Sequence, residues 1–203
     1  MLKSKRVLII IFCIMISMLF LIGREVEAMT PADIYACSRG VCVYYYIENG
    51  SSNTFYQRIK NAAYNWEHTG FGYNPIYLYE RSSSSGTAID FYNKSNSHFG
   101  ATSNMIVLGH CKHYNGSGTY IPYDTGNWLY SEICLNKDKL PNQTTTKQQG
   151  TIAHEMGHSF GLHHYNTNPY SIMCQSYVSS TIQRQVETVQ QEDNDAINYK
   201  YGS

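Results

Sequence analysis

The chain has 203 residues, with 15 basic and 15 acidic side chains and charged residues at only 15% of the whole. A chain this long suits one domain, and charge so sparse and balanced builds no basic stripe, so a nucleic-acid partner is excluded. At the N-terminus, Lys3, Lys5 and Arg6 precede an apolar run from Val7 to Ile22, followed by Val26-Glu27-Ala28 as a cleavage point. This is the order of a secretory signal. The run is 16 residues long, short of the roughly 20 that span a bilayer. We expect a signal at 1–28, a single domain at 29–203, secretion, and no stable membrane insertion. An anchor through residues 7–22 is the alternative.

Without the signal, eleven basic and thirteen acidic residues remain, together with Cys37, Cys42, Cys111, Cys134 and Cys174. Export would permit disulfides, and an odd number leaves one thiol unpaired. The expected pairs are Cys37–Cys42 and Cys111–Cys134, with Cys174 buried.

Val41–Ile47, β-branched and aromatic and ending at Glu48-Asn49-Gly50, reads as a first strand. Between Asn53 and His68, Phe55, Ile59, Ala62, Ala63 and Trp66 recur at helical spacing, a stripe for core packing, and Thr69-Gly70 stops the helix. Pro75–Glu80 reads as a second strand and Ser82–Gly86 as a turn. Met105–Gly109, a short apolar run, reads as a central strand covered on both faces. Trp128–Leu135 reads as a further strand approached through Tyr120–Gly126. A long helix begins near Thr145, where Thr145 and Gln148 form a capping box; Ile152, Ala153, Met156 and Phe160 make its buried stripe. A closing helix spans Val189 to Gly202, with Thr188 and Gln191 as its capping box. A strand, a helix, more strands and then a helix imply parallel pairing through the first crossover.

The chemistry concentrates in His154-Glu155-Met156-Gly157-His158-Ser159-Phe160-Gly161-Leu162-His163-His164. Residues four apart on a helix share a face, so His154 and His158 aim two imidazoles at one point. Glu155 is close enough to reach a water at that point. Gly161 permits a left-handed stop, after which His164 closes the triangle. Three nitrogen ligands with one vacant position make a catalytic zinc site rather than a structural one.

This string matches the extended metzincin signature at His154, Glu155, His158, Gly161 and His164, with Ser171-Ile172-Met173 as the Met-turn. The sequence thus resembles matrixin-like zinc endopeptidases, and the closing helix resembles the last helix of their catalytic domains. The resemblance implies an α+β metzincin fold: a twisted, mostly parallel sheet with an antiparallel edge strand at the cleft, and three helices. It implies one catalytic Zn2+ on His154, His158 and His164, Glu155 as general base, Met173 as an apolar floor, and a protein or peptide substrate added to the sheet edge, which we expect near Tyr120–Trp128. A monomer is expected. Residue 165 is Tyr rather than the Ser typical of matrixins, and residue 175 is Gln where astacin-like members carry Tyr. Tyr177 and Tyr170 are therefore candidates for helping hold an oxyanion. Matrixins often carry a second, structural Zn2+ or Ca2+; His110, Cys111, His113 and Asp124 cluster in sequence, but without family spacing. The reading from another class is a non-catalytic zinc-binding or adhesion module on the same scaffold, against which the intact Glu155 argues.

Overall fold

The computed structural model describes residues 35–37, 40–100, 106–122, 125–175 and 182–202, with backbone alone at 35–37 and 40. The expected signal, Asp124 and Tyr177 lie outside the described residues.

Strand β2 (Gly40–Ile47) alternates Val41, Val43, Tyr45 and Ile47 into the core. Its antiparallel neighbour at the N-terminal end is β1 (Tyr35–Cys37). The chain crosses through α1 (Tyr56–Glu67) to β3 (Ile76–Arg81), which pairs parallel to β2 from Val41↔Ile76 to Tyr46↔Arg81. Helix α1 buries Ile59, Ala62, Ala63 and Trp66, the stripe expected from spacing, and Asn53 Oδ1 accepts from the Phe55 N–H just ahead of it. The sheet continues through β4 (Ile89–Lys94), parallel to β2, and β7 (Tyr130–Asn136), parallel to β4. Two antiparallel strands follow: β5 (Gly109–Tyr114) on β7 and β6 (Tyr120–Ile121) on the far end of β5. One face of this mixed sheet is covered by α1 and by α2 (Thr145–Ser159), and the chain closes with α3 (Gln191–Tyr201). Trp66 Nε1 donates to the Ala153 carbonyl at 2.9 Å, which fixes α1 against α2.

Four expectations change. The central strand between β2 and β7 is β4, whose Ile89 and Phe91 are buried; the charge of Asp90 interrupts the apolar run that would have marked it. Met105–Gly109 is not that strand: Ile106 is exposed and only Gly109 enters β5. Tyr120–Ile121, the described part of Tyr120–Trp128 that pairs, is the last strand of the sheet but covers only His113 and Tyr114; the edge beside α2 is the earlier part of β5. Cys111 and Cys134 are free thiols. On the β5–β7 ladder Cys111 stands opposite Ile133 and Cys134 opposite His110, and a one-residue offset puts two side chains on opposite faces of a sheet. Cys42 is disulfide-bonded, and the side chain of its expected partner Cys37 is outside the described residues. Cys174 is buried, as expected.

Asp90 points to the face away from the helices, is 4% exposed, and takes a hydrogen bond from the Thr87 hydroxyl. Burial pushes its carboxyl up to about 6 against the pull of that bond, and Glu132, directly opposite on β7, adds to the rise. A carboxyl raised in the folded state contributes stability that is complete below about pH 4 and is lost as the pH climbs through 6. Asp90→Asn is therefore expected to melt roughly 2–4 °C above the unmodified chain at pH 7.5, with the gap closing by pH 4. Thermal denaturation at the two pH values checks this; a constant gap would remove the link to titration.

Candidate active site

The cap of helix α2 is Thr144, one residue before the expected Thr145. Thr144 Oγ1 accepts from the Lys147 N–H at 3.3 Å, and Gln148 donates to the Gln143 carbonyl at 2.8 Å instead of closing a box. The helix is buried along most of its length, and His154, Glu155 and His158 are each 6–7% exposed. His154 Nδ1 contacts the Ile172 carbonyl at 2.8 Å and His158 Nδ1 the Leu162 carbonyl at 2.8 Å. A carbonyl oxygen only accepts, so each Nδ1 carries the proton and donates it, which leaves Nε2 as the nitrogen able to accept or ligate.

Gly161 takes φ 79°, the left-handed conformation that ends the helix sharply,. The turn returns His164 so that its Nε2 lies 3.1 Å from His158 Nε2. One nitrogen from each of His154, His158 and His164 falls within 4.8 Å of the others. Nitrogens around a tetrahedral zinc stand ~3.3 Å apart when Zn–N is about 2.0–2.1 Å, so the donor set fits that ion with small side-chain movements. Burial holds all three imidazoles below their ordinary pKa, His158 at about 3, and the neighbouring histidines push the same way. They are neutral, as ligands must be.

Glu155 points toward β5. A Cβ on Gly109 would stand 3.3 Å from Glu155 Cγ. Burial raises the Glu155 carboxyl to about 7, opposed by the charge of Arg184 and by the Cys111 backbone N–H.

Beneath the ligands, a Cβ on Gly157 would run into Met173 Sδ and stand 3.1 Å from Met173 Cε. Glycine here lets the buried Met173 lie directly against the helix backbone. Asp193 holds the turn that carries Met173: it accepts from Ser171 Oγ at 2.6 Å, from the Ile172 N–H at 2.9 Å and from the Gln190 N–H at 2.9 Å. The last of these belongs to the capping box that starts α3, formed by Gln190 and Asp193 rather than by Thr188 and Gln191. The loop carrying His164 is tied to the same turn. Tyr165 N–H donates to the Met173 carbonyl at 3.0 Å, and Asn166 and Gln175 bond each other reciprocally at 2.8 and 2.9 Å.

The family model described as Matrixin matches residues 42–202, from the first parallel strand through the closing helix. The chain belongs to the matrixin family. No curated protein matches it.

In this matrixin, Met173 lies against Gly157 and His164 against His158, next to the helix face that carries His154. Tyr170 is 63% exposed on the Met-turn loop. A second donor group regroups the residues around His110. His98, His110 and Cys134 bring ligand atoms within 4.8 Å of one another. Cys111 and His113 instead alternate onto the helix side of β5, where Cys111 Sγ is 3.4 Å from Ser159 Oγ. No separation along the chain signals His98 with Cys134; strand pairing sets His110 opposite Cys134, and the turn at Asn96–Phe99 brings His98 to them. Asp193 as clamp of the Met-turn, and Arg184 as the charge beside Glu155, likewise leave no local pattern in the sequence. No described helix of this matrixin is long and apolar enough to cross a membrane.

Proposed function

We propose that the chain is an exported zinc endopeptidase that uses His154, His158 and His164 as metal ligands and Glu155 as general base. The observation that carries this is the convergence of three imidazoles, two of them with Nδ1 donated to backbone carbonyls, beside a buried carboxyl outside the donor set. A zinc ion, when bound, supplies Lewis acidity to the scissile carbonyl and lowers the pKa of water. Glu155 takes the proton of the attacking water on a carboxylate oxygen and passes it to the leaving amine; a carboxyl raised by burial suits both tasks near neutrality,. Met173 sets the apolar floor that holds the imidazoles in place.

The peptide has an edge to join. Asn136 N–H donates to the Leu108 carbonyl, so the alternation of an antiparallel ladder turns the Gly109 N–H and C=O away from β7. An extended substrate adds there as a strand beside Glu155. Export follows from the signal read at 1–28, and the substrate is protein or peptide.

Digestion of a peptide library by the zinc-replete protein, with and without a chelator, tests the reading. Fragments that vanish with chelator and return with zinc are expected. A well-folded, zinc-replete protein that cleaves nothing would leave the non-catalytic module as the better account. Elemental analysis of the same sample is expected to give one zinc per chain from the histidine triad, and two only where the His98–His110–Cys134 group also loads.

A further inference from the structure

Arg184 lies between the Met-turn and α3, and its side chain is 4% exposed. A guanidinium has five N–H donors. Here Nη2 donates to Glu187 Oε2 at 2.8 Å, while Nε is buried with no partner. Buried cations normally spend their donors on acceptors, because a buried charge left half paired is costly.

The position of this cation is fixed by its neighbour. A Cβ on Gly150 would collide with the Glu187 carboxylate and stand 2.8 Å from Glu187 Cα. Gly150 is one helical turn before His154 on the same face of α2. The Arg184 charge is felt at His154, Glu155 and Cys174. Through Glu187 the guanidinium is thus tied to the face of α2 that carries His154, one turn beyond Gly150. Glu187 does not cancel it evenly: its side chain is 23% exposed and shared with solvent, so the buried end of the pair is positive.

We propose that Arg184 is a specificity residue that receives a carboxylate of the peptide substrate, either an acidic side chain flanking the scissile bond or the free C-terminal carboxylate. The guanidinium fork matches a carboxylate in shape and charge. The proposal rests on the peptidase reading of the same site, and the experiment separates the two.

Once a cleaved bond is known, peptides with Glu or Gln on each side of it, with free or amidated C-termini, are compared by kcat/KM. The carboxylate member is expected to be favoured roughly 10- to 100-fold, through Glu over Gln for a side chain or free over amidated for a terminus. In Arg184→Met the ratio should fall to within about twofold. Equal rates for every pair would overturn the proposal. Titration calorimetry of the same peptides on zinc-loaded Glu155→Ala protein reads recognition without catalysis. Carboxylate preference there, with no cleavage by the unmodified chain, would keep the inference and sink the peptidase; equal affinities would sink the inference whatever the catalysis. Should Arg184→Met not fold, as judged by circular dichroism, Glu187→Gln takes its place. Removing the competing carboxylate is expected to raise the preference severalfold, and an unchanged or lower ratio counts against Arg184.

Discussion

Glu155→Ala protein loaded with zinc is expected to keep its metal and to lose peptide hydrolysis by about 10²–10⁴-fold, the range set by removing a positioned general base. The two halves of this expectation come from different atoms. In the proposed reading the metal would sit on His154, His158 and His164, and Nδ1 of the first two is fixed on the Ile172 and Leu162 carbonyls. None of those contacts involves the Glu155 side chain. The proposed general base, Glu155, is buried, near β5 and raised to about 7. Zinc per chain by elemental analysis, measured with kcat/KM on one cleaved peptide, separates binding from chemistry. Near-normal hydrolysis in the variant would take Glu155 out of the mechanism, and loss of zinc would show that the carboxylate helps hold the ion.

Asp193→Ala is expected to cost about 3–5 kcal/mol of folding stability, since it leaves a buried hydroxyl and two backbone N–H groups without their acceptor. The three donors are Ser171 Oγ and the N–H groups of Ile172 and Gln190. Burial raises the Asp193 carboxyl while these bonds draw it down, so its retention in the core depends on all of them. The effect should extend to the metal. Ile172 receives Asp193 on its N–H and gives its carbonyl to His154 Nδ1. Freeing that residue loosens the orientation of a ligand, which typically weakens metal affinity by about 10–100-fold. Urea denaturation gives the first quantity and competition with a chromophoric chelator the second. A variant that unfolds earlier yet binds zinc as tightly as before would show that Asp193 supports the fold without aligning His154.

Local pattern carried the parts of the molecule that are local. The His154–His164 string is read directly because a helix turn and one left-handed glycine fix all three ring positions within eleven residues. The stripe on α1 and the strands at Val41–Ile47 and Trp128–Leu135 were legible for the same reason: side-chain periodicity belongs to the segment itself. What failed depends on partners far along the chain. Strand β4 is hidden because Asp90 occupies its outward face, where Thr87 and Glu132 give it a setting that no window of sequence displays. The expected Cys111–Cys134 bridge supposed that nearness was enough; the ladder offset of one residue decides against it. Asp193 is a helix-start carboxylate, but its second task needs Ser171, 22 positions earlier. The charge of Arg184 likewise acts on Glu155 only through the return of the chain after the Met-turn.

The three imidazoles are not equally mounted. Two project from a rigid buried rod, whereas the third rides an exposed bend beyond Gly161. Escape of the ion is therefore expected to start at residue 164, where a small chelator or a proton meets the only outward-facing grip, and to pass through a half-released state still fastened at two points. Capture is expected to run in the reverse order, with His154 and His158 engaging the ion before His164.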